Sequence, residues 1–426
     1  MPTSTFLEQP RRGAARLVHV LSTAFFAVAA GSGAGFLVLA FAGVAGVELA
    51  PGIWGEGDVD RMLRAGVGAA ALSIVAALGL GAILLSIARL LHVRQLARDA
   101  EAAPATIASW ETRKDVALES PFGPLKTFAA IFLPIDAIVI LVVSLALGES
   151  IGRADDADEG FVLLGALVGA AAFVIVLLVV ASRWWAPMWR SAAAGVRRAW
   201  SPEQQKAARD ADRAAAHPGP ASSTGALPAD LRRIATLAGR IAGIAGAVGA
   251  ITFFIGLAAR QPCRDCDQLS YPEVGERAID VLMAIAALVT ALAVAVLVLS
   301  LVTAWLAGVI EQRALVSLAA SGAGAPAPVV LAARLTGPWS GTEAGAALVG
   351  LGAGLLPIVG TAVAVAPGFW PSWVVPALAV LGVLGLVVLW WAEGGSARVR
   401  NRLREAWHPG DVVAPEPVSR KPRPEE

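Results

Sequence analysis

The chain is 426 residues long, 57% hydrophobic and 16% charged, with a mean hydropathy of +0.68 and a formal net charge of +1. A water-soluble fold of this length needs far more charged side chains to cover its surface. The net charge says nothing about nucleic acid, because it hides a strong split of charge across the membrane, and no nucleic-acid partner is predicted. The sequence therefore predicts an all-α integral membrane protein whose surroundings are the lipid bilayer.

Eight apolar runs recur along the chain, each about 20 residues long or longer, the length that a helix needs to cross a hydrocarbon core of about 30 Å. In chain order they are Leu17–Val44, Gly66–Ala88, Thr127–Leu147, Phe161–Ser182, Ile241–Ala258, Ala278–Val309, Gly345–Ala366 and Val374–Ala392. Arg11 and Arg12 precede the first run, and Ala27-Val28-Ala29 within it resembles a signal-peptide cleavage site. Because the apolar stretch continues well beyond that site, an uncleaved anchor is favoured. The prediction is eight transmembrane helices.

Basic residues are distributed unevenly between the two sides of the predicted helices. With the N-terminus inside, only six of the 34 Lys and Arg fall outside, namely Arg61, Arg64, Arg153, Arg260, Arg264 and Arg277. The positive-inside rule then places both termini in the cytoplasm. Arg outnumbers Lys by 30 to 4, a bias typical of a high-GC bacterial gene. The predicted location is a multi-pass protein of the bacterial cell membrane.

Two proline-centred patterns divide the chain into similar halves. Leu133-Pro134-Ile135 lies in the third run and Leu356-Pro357-Ile358 lies in the seventh, 223 positions later. Arg11-Arg12 and Arg232-Arg233 recur at nearly the same offset. The pattern predicts a tandem repeat of four plus four helices, although chance similarity between Ala-, Leu- and Val-rich segments is an alternative. The predicted segments are a first repeat at 1–200, a cytoplasmic linker at 201–230, a second repeat at 231–408 and a disordered cytoplasmic tail at 409–426.

Asp136 is an acidic residue in the middle of a predicted span. It lies 10 residues beyond Lys126, and a rise of about 1.5 Å per residue places it near the bilayer midplane. An ionised carboxylate there costs roughly 2.5–3.5 kcal/mol, so it is expected to face the protein interior or water. Asp136 is therefore a candidate proton- or cation-coupling group, with Pro134 and Pro357 lining the path, because matched interrupted spans are typical of transporter sites. In the alternative, Asp136 only holds the bundle together by bonding a hydroxyl of Ser144, Thr252, Thr290 or Thr303.

Cys263 and Cys266 form a CxxC pattern in the third outside loop and are the only cysteines. Such a pattern is redox-active, metal-binding or a structural disulfide. Outside the cytoplasmic membrane a closed disulfide is favoured, and two thiols without a nearby His do not make a zinc site. The prediction is a disulfide that closes the loop, with no bound metal.

Tryptophan and arginine follow the fourth and eighth runs. These stretches have the pattern of amphipathic helices that lie on an anionic inner leaflet. A docking helix for a cytoplasmic partner is the alternative. The predicted membrane-interface residues are Trp185, Trp189, Trp200, Trp391 and Trp407.

Motifs of the common enzyme classes are absent from the sequence or lie in the wrong context. There is no Walker A and no HExxH pattern. Gly55-Glu56-Gly57-Asp58 resembles the GxGD motif of intramembrane aspartyl proteases, but it falls in an outside loop rather than within a span. Neither an enzymatic activity nor a cofactor is therefore predicted. The leading hypothesis is a transporter or permease component for a small solute, an ion or a lipid-like substrate. The alternative is a non-transporting membrane scaffold, accessory subunit or sensor with a cytoplasmic or membrane protein partner, because the spans carry few polar side chains.

Overall fold

The computed structural model describes residues 8–49, 56–102, 121–150, 157–199, 226–260, 273–322, 335, 339–365 and 371–407, and these ranges are helical and contain no strand. The helices are α1 (Gly13–Leu49), α2 (Glu56–Ala102), α3 (Gly123–Ser150), α4 (Ala157–Val180), α5 (Ala186–Ala199), α6 (Ala226–Arg260), α7 (Glu273–Ser321), α8 (Ser340–Val349), α9 (Leu356–Val365) and α10 (Val374–Trp407). A π-helical turn at Ala181–Trp185 joins α4 to α5, and another at Gly350–Gly354 precedes α9. Eight helical stretches of the described chain are long and apolar enough to cross a membrane, which confirms the predicted polytopic helical protein.

Helices α2 and α7 are much longer than one membrane crossing requires. They contain 47 and 49 residues, or about 70 Å each at 1.5 Å per residue. The sequence predicts that the second span ends at Ala88, where polar residues begin, whereas the helix continues to Ala102. The extension stays helical because Leu90, Val93 and Leu96 lie on one buried face while Arg94 is exposed, the spacing of an amphipathic helix.

The chain packs as two compact units. Unit 1 comprises Met1–Phe25, Leu78–His217 and His408–Glu426, and unit 2 comprises Phe26–Ala77 and Pro218–Trp407. The core of unit 1 forms where the C-terminal extension of α2 packs against α5 and where the start of α3 packs against the π-helical turn that follows α4. Its buried residues are Leu90, Val93, Leu96, Ala100, Trp189, Ala193 and Val196 in the first cluster, and Phe122, Leu125 and Ala181 in the second.

In unit 2, α6 and α7 form a hairpin that is packed through small residues. A Cβ atom added at Gly249 would lie 2.9 Å from the carbonyl oxygen of Ala286, and one added at Gly246 would lie 3.3 Å from the Cβ of Ala293. Such close backbone approach is how small residues associate helices in lipid, where there is no hydrophobic force between them. Glycine is therefore required at Gly249 by its neighbour on α7.

Candidate functional site: a buried carboxylate and an interrupted helix

Helix α3 carries both Pro134 and Asp136 without a break. Pro134 lies inside the helix, where its ring removes one backbone N–H and leaves the carbonyl of Ala130 without its usual intrahelical donor. The proline ring is exposed. The predicted interruption of the third span is therefore one missing hydrogen bond in a continuous helix, and Pro134 does not share the burial of Asp136.

Asp136 lies on the buried face of α3. Its exposed fraction is 3%, whereas those of Ile135 and Ile138 are 56% and 61%. Leu125 and Ala129 are buried on the same helix at spacings that place them on one face with Asp136. Helix α4 packs along α3, and the burial of Asp136 shows that protein covers this face of α3. The sequence prediction that this acid faces the interior agrees with that placement.

Neither carboxylate oxygen of Asp136 has a hydrogen-bond partner among the residues that the structure describes. Three of the hydroxyls considered as partners donate to carbonyls of their own helices instead: Ser144 to Ile140 at 2.7 Å, Thr290 to Ala286 at 2.8 Å and Thr303 to Leu299 at 2.8 Å. A simple hydroxyl bond that would hold the bundle together is thus not formed by these groups. Nor do three His, Cys, Asp or Glu side chains come together anywhere in the described ranges.

The seventh span is irregular just ahead of Pro357, the residue at which the sequence predicts a break. The α8 helix gives way to the π-helical turn at Gly350–Gly354, and α9 follows with Pro357 in its first turn. A π-helical turn inside a helix is frequent at functional sites, and its carbonyls need new partners. Ser32 of α1 supplies one, because its fully buried hydroxyl donates to the carbonyl oxygen of Gly354 at 2.7 Å.

Backbone packing surrounds this interruption on two sides. A Cβ atom at Gly354 would lie 2.9 Å from the carbonyl oxygen of Val28 on α1, and one at Gly352 would lie 2.6 Å from that of Leu378 on α10. Space that cannot hold a methyl group cannot pass a solute. The π-helical turn ahead of Pro357 is thus closely packed against α1 and α10 and leaves no path at these contacts. Pro357 itself is only half-buried.

The other predicted site residues divide between packed, exposed and undescribed positions. Trp189 is buried against α2, Trp185 packs on both core clusters of unit 1, Trp391 is 77% exposed and Trp407 is half-buried. Nothing in these contacts locates a bilayer surface, so the interface assignment stays a prediction. Cys263, Cys266 and Trp200 lie outside the described residues.

A polar cluster in unit 2 went unrecognised in the sequence. The guanidinium of Arg232 on α6 donates to the carboxylate of Glu311 on α7, which is almost fully buried. One residue further along α7, Gln312 accepts from Ser340 at the start of α8, and the indole N–H of Trp305 donates to the Ser340 carbonyl at 2.9 Å. The signal was the Glu311-Gln312 pair that directly follows a long apolar run.

No family model, characterised protein or solved structure matches this chain.

Proposed function

We propose that the protein is a multi-pass transporter or permease component of a bacterial cell membrane, acting on a small solute, an ion or a lipid-like substrate. The supporting observation is Asp136, a carboxylate that is 3% exposed and has no hydrogen-bond partner among the described residues. An intramembrane acid is expensive to bury and is functional by default. In this proposal Asp136 carries the proton or cation that is coupled to transport. No enzymatic step and no cofactor form part of it.

Helix boundaries support a tandem repeat of four plus four helices. Helices α2, α3 and α4 begin at residues 56, 123 and 157, and α7, α8 and α10 begin at residues 273, 340 and 374, an offset of 217 in every pair. Gln95 and Gln312 are separated by the same 217 positions, and each accepts a bond from a backbone N–H at the start of another helix, Arg12 and Ser340 respectively.

The two prolines depart from this register. They are 223 positions apart, so the proline of the second copy lies six residues further along its span than the proline of the first. Only the second copy has a π-helical turn ahead of its proline. We infer that the copies have diverged at this level of the bundle, with an acid retained in one and a glycine seam in the other. The excess of basic residues in the predicted inside loops supports cytoplasmic termini for both copies.

A specific observation favours the second candidate function, a non-transporting scaffold or accessory subunit. Ser144, Thr290 and Thr303 all satisfy their hydroxyls within their own helices, and many helix contacts of unit 2 are made by glycine against apolar side chains, as Gly246 against Ala293 and Gly345 against Leu389. A path for a hydrophilic solute needs side chains that can replace water around it. A lipid-like substrate needs fewer, so among transporter substrates this chemistry favours an apolar one.

Proton flux into proteoliposomes distinguishes the two functions. The protein is reconstituted with a pH-sensitive dye inside, a potassium–valinomycin potential is imposed, and a small-molecule and lipid extract of the native cells is added. The transporter proposal expects dye acidification with the wild type, loss with Asp136→Asn, and no change with Ser144→Ala, whose hydroxyl bonds only its own helix. A wild type that behaves as empty liposomes, together with a partner that co-purifies at constant stoichiometry, would favour the scaffold.

A further inference from the structure

The start of α8 presents hydrogen-bond donors that are not satisfied within the described part of the chain. Trp339 is the N-cap residue, with extended backbone angles (φ −79°, ψ 149°), and no side chain caps the helix. The first N–H groups of a helix have no partner within it. The N–H of Ser340 donates to Gln312 Oε1 at 3.4 Å. The next two N–H groups, those of Gly341 and Thr342, remain without a partner in the helix.

Gln312 and Trp339 add two buried side-chain donors beside this helix start. Because a backbone N–H can only donate, the Gln312 atom that meets Ser340 is the amide oxygen, and the amide nitrogen is the other end of the same group. That nitrogen and Trp339 Nε1 are both buried without an acceptor in the described residues. The two residues are 6% and 9% exposed. Leaving a buried donor without a hydrogen bond destabilises the folded protein, so an acceptor is expected here.

The formal charges around the helix start do not themselves attract an anion. Glu311 is paired with Arg232, and Arg313 is exposed on the next position of α7 while Glu343 lies in the first turn of α8. These four formal charges cancel, and Glu393 adds one negative charge because it follows Ala392, which lies against Gly341. The attraction for a phosphate therefore comes from the positive end of the α8 dipole and from the unused donors at its start.

We propose that the start of α8, with Gln312 and Trp339, binds a phosphate group. Ser340 is the first residue of a candidate membrane span, and its predicted apolar run begins five residues later at Gly345; in this proposal the site is therefore near the end of a crossing, where phospholipid phosphates are found. A phospholipid headgroup and free inorganic phosphate share this chemistry. The site involves residues of unit 2 only and does not depend on Asp136 or on transport.

The test uses the full chain in detergent after delipidation. The midpoint of thermal unfolding is followed during titration with dihexanoyl phosphatidylglycerol and, separately, with inorganic phosphate, because a ligand that binds only the folded state raises it. Stabilisation by the lipid alone identifies a headgroup site, and stabilisation by inorganic phosphate identifies a free-anion site. The proposal is overturned if neither probe raises the midpoint.

Matched indole variants locate the site. Trp339→Phe removes an unused N–H and is expected to weaken binding about tenfold, the effect of one hydrogen bond to a charged group. Trp305→Phe removes an N–H that already donates to Ser340; it is expected to lower the unfolding midpoint but to leave the apparent Kd within about twofold, since a satisfied donor has none to offer the ligand. Gln312→Glu keeps the acceptor for Ser340 and turns an oxygen toward the phosphate, so it is expected to abolish binding. Equal losses in the two indole variants would refute the assignment.

Discussion

Gly249→Ala provides a direct test of the packing between α6 and α7. A Cβ atom at this position would lie 2.5 Å from Thr290 Oγ1 and 2.9 Å from the carbonyl oxygen of Ala286. The hydroxyl of Thr290 donates to that same carbonyl at 2.8 Å and is buried. The threonine rotamer can yield, but the α7 backbone cannot yield without moving the helix. The added methyl group therefore breaks a buried hydrogen bond and forces the two helices apart.

The expected change in stability combines two destabilising effects with one stabilising effect. Overpacking a closed contact costs about 1–3 kcal/mol, and loss of the Thr290 bond costs about 1 kcal/mol. Replacing glycine by alanine in a helix returns up to about 1 kcal/mol. We expect Gly249→Ala to lower the free energy of unfolding by about 1–3 kcal/mol.

Gly243 is the matched control on the same helix, because a Cβ atom there meets nothing within 4 Å. Gly243→Ala is expected to be neutral or to stabilise by up to about 1 kcal/mol. Both variants are unfolded with SDS in mixed micelles and followed by helical circular dichroism. If Gly249→Ala proves as stable as Gly243→Ala, the close approach of α6 and α7 at this position is wrong.

Two further predictions concern the polar cluster and the outside loop. Arg232→Met removes one partner of the buried carboxylate of Glu311; because the arginine side chain is 40% exposed, we expect a loss of about 1–3 kcal/mol rather than the larger cost of a fully buried pair. The double variant Arg232→Met, Glu311→Met is expected to recover most of that stability, and SDS unfolding of all three proteins checks it. A membrane-impermeant maleimide applied to intact cells is expected to label Cys263 and Cys266 only after reduction, as a disulfide on the outside requires. Labelling without reduction would contradict the disulfide, and no labelling after reduction would contradict the orientation.

The positions of the spans were largely predictable from hydropathy, whereas the lengths of the helices were not. Apolar length identifies a crossing because lipid offers no partner to an open backbone. It does not report where a helix ends once it leaves the lipid. The predicted second span stops at Ala88, but Leu90, Val93 and Leu96 continue the helix against α5, so its end depends on a tertiary contact that hydropathy does not register.

The candidate sites show a similar division. Asp136 stands out in the sequence because a carboxylate within an apolar run is costly. The Gln312 and Trp339 site does not, because neither residue is unusual near the end of a span. Its donors are brought together only when α7 and the start of α8 meet at Ser340. Local composition identifies a costly group, but not which groups will lack partners after packing.

By itself, the sequence determined that the chain is a polytopic helical protein, the number of its candidate membrane spans and the presence of an acid within one of them, because these depend on transfer free energies summed over short stretches of chain. Only the tertiary structure decided which face of each helix is covered. Apolar side chains surround a membrane helix on every side, so no periodic pattern marks its packed face. For this reason the sequence could not predict that Gly249 lies against α7 while Gly243 of the same helix has no neighbour within 4 Å of an added Cβ atom. Nor could it predict that Asp136 is buried while the adjacent Ile135 is exposed.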